Sequence, residues 1–165
     1  MLQTLIRYCL VAFALGFTVA ACTADGGRPA PQASMPAGYG LYFLDEGPSA
    51  KLAYGQANSD NVGLMLQCAK GSRLVEVSDA VRSSPAPTLT LASAGKTAAL
   101  KAEVAAGEGP AIVTAQTSSG SPVLAGFRQS GKIEVSYAGL RYGVAARPAE
   151  KASVERFFTA CERRT

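Results

Sequence analysis

Val62-Gly63-Leu64-Met65-Leu66-Gln67-Cys68 sets the architecture. Its even positions carry Val, Leu, Leu and Cys, with Gly63, Met65 and Gln67 between them. A spacing of two is the period of a strand, because successive side chains leave a pleated backbone on opposite faces. The same rhythm recurs along the chain. Val75 and Val77 alternate with Leu74, Glu76 and Ser78, and Leu89 and Leu91 with Thr88 and Thr90. Ala98, Leu100, Ala102 and Val104 alternate with Ala99, Lys101 and Glu103, and Ile133, Val135 and Tyr137 with Lys132, Glu134 and Ser136. Segments 39–44, 50–55, 111–116, 122–128 and 140–145 read as further strands.

Turn chemistry separates these runs. Asp45-Glu46-Gly47-Pro48, Asn58-Ser59-Asp60-Asn61, Lys70-Gly71-Ser72, Ser93-Ala94-Gly95, Gly107-Glu108-Gly109-Pro110, Ser119-Gly120-Ser121-Pro122 and Ser130-Gly131 supply Gly for positive φ, Pro for fixed φ and short polar side chains for local capping. Short strands at this spacing predict a mainly β fold, an antiparallel sandwich or barrel of about 8–10 strands. One helix is expected, at 148–162. Pro148 suits its first position, and Val154, Phe157, Phe158 and Cys161 fall at i, i+3, i+4 and i+7 on one stripe. That stripe is expected to pack on the sheet.

Lys and Arg number 16 and Asp and Glu 12, scattered without a basic stripe or interleaved aromatics, which argues against nucleic acid as a partner. His is absent, which removes the commonest metal ligand and the commonest general base, so no metal, no cofactor and no catalytic residue is assigned. Ser93-Ala94-Gly95-Lys96 has the Ser-x-x-Lys spacing of penicillin-binding enzymes, but it lies between two period-two runs, where Gly95 suits a hairpin turn. Gly95-Lys96-Thr97 lacks the first glycine of a phosphate loop, since position 90 is Thr. The acids Asp45 and Glu46, Glu76 and Asp79, or Glu103 and Glu108 do acid–base work only where the fold makes them converge.

Residues Met1 to Thr18 carry one basic side chain, Arg7, ahead of an apolar run that ends Val19-Ala20-Ala21-Cys22. This resembles the lipobox of bacterial lipoproteins. The stretch Cys9–Ala21 has the length of a secretory core and is too short to span a bilayer. The resemblance implies a cleaved signal peptide at 1–21 and lipidation of Cys22. Each acyl methylene would contribute about 0.8 kcal/mol of membrane affinity. Thr23, where the enteric pattern uses Asp for inner-membrane retention, implies the outer membrane. Residues 22–37 then form a Pro-, Gly- and Ala-rich tether, and 38–165 a single domain.

The lipoprotein reading leaves two cysteines in an oxidising compartment, Cys68 and Cys161, both on inward faces, and implies a disulfide between them. Across the whole chain, the lipobox, the segment Leu52-Ala53-Tyr54-Gly55 leading to Leu64–Cys68, and the ending Phe157-Phe158-Thr159-Ala160-Cys161 resemble small periplasm-facing lipoproteins. The expected role is a non-catalytic binding or structural one in the cell envelope. The chain would be held at the membrane by its lipid, with a protein or glycan partner. Arg128, Lys132 and Arg141, on three neighbouring expected strands, and Ser130 between them are the candidate partner-binding residues. Gln129-Ser130-Gly131-Lys132 is similar to the Ser-Gly loop of membrane-bound lysozyme inhibitors, which implies inhibition of a secreted hydrolase as the alternative. A small carboxylate- or serine-dependent hydrolase is the second.

Overall fold

Residues 36–81, 86–105 and 111–163 are described by a computed structural model. The leader 1–21, Cys22 with its lipidation, the tether as far as residue 35, and Glu108 lie outside the described residues. Among the described residues ten strands run in chain order: β1 (Tyr39–Glu46), β2 (Ser49–Gln56), β3 (Val62–Ala69), β4 (Leu74–Val81), β5 (Thr88–Ser93), β6 (Lys96–Lys101), β7 (Glu103–Ala105), β8 (Ala111–Ser118), β9 (Lys132–Tyr137) and β10 (Leu140–Ala145). They form two antiparallel sheets, one in the order β1-β2-β3-β4-β8-β7 and one in the order β10-β9-β5-β6. The sandwich-like arrangement expected from the alternation is therefore present.

Register follows the buried faces. Leu52 lies opposite Leu66, and Leu66 opposite Val77, which in turn faces Ala115 across the next pair. All four are buried, because slipping the pairing by one residue would turn each apolar row to solvent. Leu89, Leu91, Val135 and Val144 are buried on the second sheet. Two hairpins of that sheet turn on Ala94-Gly95 and Ala138-Gly139, all four residues at positive φ (47°, 72°, 47° and 82°). Paired positive φ matches the twist of two-residue hairpins, at some cost for an alanine and none for a glycine.

Two expectations need correction. Segment 122–128 is not a strand but lies in a helix, α1 (Pro122–Ser130). Val123, Ala125 and Phe127 mimic period two, but Val123, Leu124 and Phe127 also share one helical stripe and are all buried. Pro122 occupies the first turn, and Gly131 closes the helix at φ 70°, its N–H bonding Phe127 O. The run 98–104 is not one strand but two. It breaks at Ala102, with β6 in the four-stranded sheet and β7 in the six-stranded one.

The C-terminal helix lies where expected. A 3-10 turn at Pro148–Glu150 leads into α2 (Lys151–Glu162), which buries Val154, Phe157, Phe158 and Cys161. It packs against β1 and β2. Phe158 meets Phe157 edge-on at 5.3 Å and Phe127 of α1 at 6.2 Å, so an aromatic cluster joins both helices. Cys68 and Cys161 are bonded, Cα atoms 5.8 Å apart, across a sequence separation of 93. Two backbone bonds flank the bridge, Gly71 N–H to Ala160 O and Arg73 N–H to Cys161 O. Among the described residues, no helix is long and apolar enough to cross a membrane.

Candidate functional site

The residues singled out in the sequence do not gather into one site. Arg128 projects from α1 rather than from a strand beside Lys132 and Arg141, because 122–130 is helical. Its guanidinium donates to Glu155 from Nε at 2.8 Å and to Glu162 from Nη1 at 2.9 Å, and lies 5.6 Å over the Phe158 ring. The Glu155 hydrogen bond leads in raising the Arg128 pKa, and the same bond lowers that of Glu155. Arg141 on β10 sits 3.2 Å from Glu134. Lys132 is exposed at the start of β9. Two of the three expected basic residues are thus engaged in ion pairs.

Ser130 is turned inward. Its hydroxyl donates to Gly126 O at 2.7 Å and accepts from Lys132 N–H at 3.1 Å. The Ser93 hydroxyl donates to Lys132 O at 2.6 Å and lies 3.4 Å from Ser130 Oγ. These serines stitch the end of α1 to the β5–β6 hairpin. Gly126 makes this approach feasible, since a Cβ there would meet Ala94 Cβ and Ser93 O at 3.1 Å. Ser93 and Lys96 are the facing pair that closes that hairpin, and Lys96 is exposed.

The acids are dispersed. Asp45 pairs with Lys70 at 2.6 Å, a hydrogen bond that holds its carboxyl below the usual range. Glu46 pairs with Lys51 at 2.8 Å and Glu103 with Lys101 at 3.8 Å. Glu76 and Asp79 lie an odd number of residues apart on β4 and point to opposite faces. Among the described residues, no three His, Cys, Asp or Glu side chains could hold a metal ion.

Of the acids singled out in the sequence, Asp79 is the buried one. It takes the inward place next after Val75 and Val77, is 6% exposed, and accepts a 2.8 Å hydrogen bond from the Tyr142 hydroxyl of β10. Burial pushes its carboxyl up to about 6, against the pull of the bonds from Tyr142 and from Ala80 N–H. Burial also raises Tyr142, and the facing carboxylate adds to it. Asp79 shares the inward face of β4 with Val75 and Val77. Its partner depends on how the two sheets stack and had no local signal. Near this pair, Tyr54 is buried with no hydrogen-bond partner for its hydroxyl among the described residues.

A second feature is a concavity where α2 meets the end of β1. It is a groove of about 430 Å³ lined by Phe43, Asp45, Lys70, Arg156, Ala160 and Arg163 among others. The Arg156 guanidinium stacks over the Phe43 ring at 4.5 Å. The disulfide tethers this wall to β3, since Cys161 lies beside Ala160 in the last turn of α2. No sequence signal announced the groove, because its two walls are more than a hundred residues apart in the chain. No protein-family model, no curated protein and no solved structure matches this chain.

Proposed function

We propose that the chain is a lipid-anchored, non-catalytic binding module of the bacterial cell envelope. In this reading it faces the periplasm from the outer membrane. The Val19–Cys22 lipobox and the tether after it supply the address. The observation that carries the reading is the Cys68–Cys161 bond, because disulfides form and persist in oxidising compartments such as the periplasm. The groove beside α2, whose rim mixes cations with an aromatic ring, is the natural place for a partner. Asp45 and Lys70 are held in an ion pair and Arg156 is stacked on Phe43, rather than set as an acid–base couple.

Growth with labelled palmitate tests the address. Incorporation into the wild-type chain and its loss in Cys22→Ser are expected, with the wild type in the outer-membrane fraction. An unlabelled chain whose intact mass retains Met1 and two reduced thiols overturns the proposal.

A further inference from the structure

β1 is an edge strand, with β2 on one side and, among the described residues, no strand on the other. Its hairpin with β2 closes at Glu46 and Ser49 across a two-residue turn. That makes Glu46, Leu44, Tyr42 and Gly40 the residues that bond β2. The odd residues turn their N–H and C=O groups outward. Two are already occupied: Tyr39 N–H bonds Pro36 O, and Leu41 N–H helps to stabilise the Glu150 carboxylate. The next outward groups, those of Phe43 and Asp45, have no main-chain partner among the described residues. They open beside the groove.

The charge of the groove is not balanced. Asp45 is matched by Lys70 and Glu155 by Arg128. Arg156 and Arg163 have no carboxylate within salt-bridge distance among the described residues. Arg156 is pre-positioned by its stacking on Phe43. The site therefore offers free strand hydrogen bonds, an aromatic ring and, among the described residues, two cations outside any salt bridge, with only Asp45, already bonded to Lys70, acting on Arg156 from a distance.

We infer that this groove takes an extended acidic peptide segment of a partner protein, added as a strand along β1 at Phe43–Asp45 with its carboxylates on Arg156 and Arg163. Main-chain bonds at a free edge supply affinity, and side-chain contacts supply selectivity. The inference rests on the reading of the chain as a binding module but not on the lipid. A chain that fails to take up palmitate can still bind the peptide, and a lipidated chain can fail to bind it, so the two failures are distinct.

The probe is a fluorescein-labelled peptide of alternating glutamate and valine, titrated by anisotropy into the purified full-length chain in detergent. Salt-sensitive binding is expected, together with slowed hydrogen exchange at the Phe43 and Asp45 amides. Arg156→Glu with Arg163→Glu should weaken binding by at least about tenfold. Arg163→Gln alone, at the exposed helix end, should weaken it measurably without risk to the fold, and Lys96→Glu with Lys101→Glu, exposed on β6 away from the groove, should leave it unchanged. Equal binding of a lysine–valine peptide, full affinity in the arginine variants, or unprotected Phe43 and Asp45 amides overturns the inference. So does binding to phosphatidylglycerol vesicles through the same arginines while the peptide fails to bind.

Discussion

The Tyr142 hydroxyl of β10 donates to the Asp79 carboxylate of β4 at 2.8 Å, which bridges the two sheets through their shared interior. An ionisable group in that position makes the stability of the fold depend on pH. Asp79 titrates near 6 in the folded chain, against an ordinary 3.8. Its folded state is the stronger proton binder, so its contribution is fully present below about 3.8 and is lost as pH rises through about 6. That gap corresponds to about 3 kcal/mol. Thermal melts should therefore show stability falling from pH 5 to pH 7. Asp79→Asn, which keeps an acceptor for Tyr142, should flatten that slope and raise stability at pH 7. A wild-type slope of the opposite sign over this interval would refute the assignment. The acids held low by cations, Asp45 and Glu155, act in the other direction but only at lower pH.

Cys68→Ser with Cys161→Ser removes the bond without leaving an unpaired thiol. Closing a loop of this length is worth roughly 4–5 kcal/mol by chain entropy. Denaturant melts should show a loss of about 2–5 kcal/mol. Hydrogen exchange should quicken first in the last turn of α2, which would then be held mainly by the Gly71–Ala160 and Arg73–Cys161 backbone bonds. A double variant as stable as the wild type under oxidising conditions would show that the bridge adds nothing to the fold.

Phe158→Ala should cost about 3–5 kcal/mol, because the ring is fully buried and its loss opens a cavity between α1 and α2. Phe158→Leu should cost appreciably less. Arg128→Ala should cost only about 1 kcal/mol, since the Arg128 side chain is 31% exposed and surface ion pairs are weak. Urea unfolding with an unchanged slope would check all three. Equal losses for Phe158→Ala and Arg128→Ala would show that the aromatic cluster does not carry the helix packing.

The strands were legible because period two survives wherever one face is buried, as at Leu64, Leu66 and Cys68. α2 was legible through Val154, Phe157, Phe158 and Cys161. α1 was not, because Val123, Leu124, Ala125 and Phe127 fit both periods and the contact with Phe158 decides between them. The break at Ala102 was hidden for a similar reason: alternation persists across it while the pairing partner changes from β5 to β8. The candidate site was least legible. Its parts belong to β1, the turn after β3 and α2, and which strand forms the sheet edge is a property of topology, not of local sequence.

The order of pairing has one more effect. β1 to β4, then β7 and β8, build one layer, while β5 and β6, then β9 and β10, build the other. Neither layer is a continuous piece of chain, so the thread must pass from one to the other three times. A cut anywhere between β4 and β9 would leave both fragments with half-made layers. Heating should dissolve the two together, in a single step, with no stage at which one stands alone.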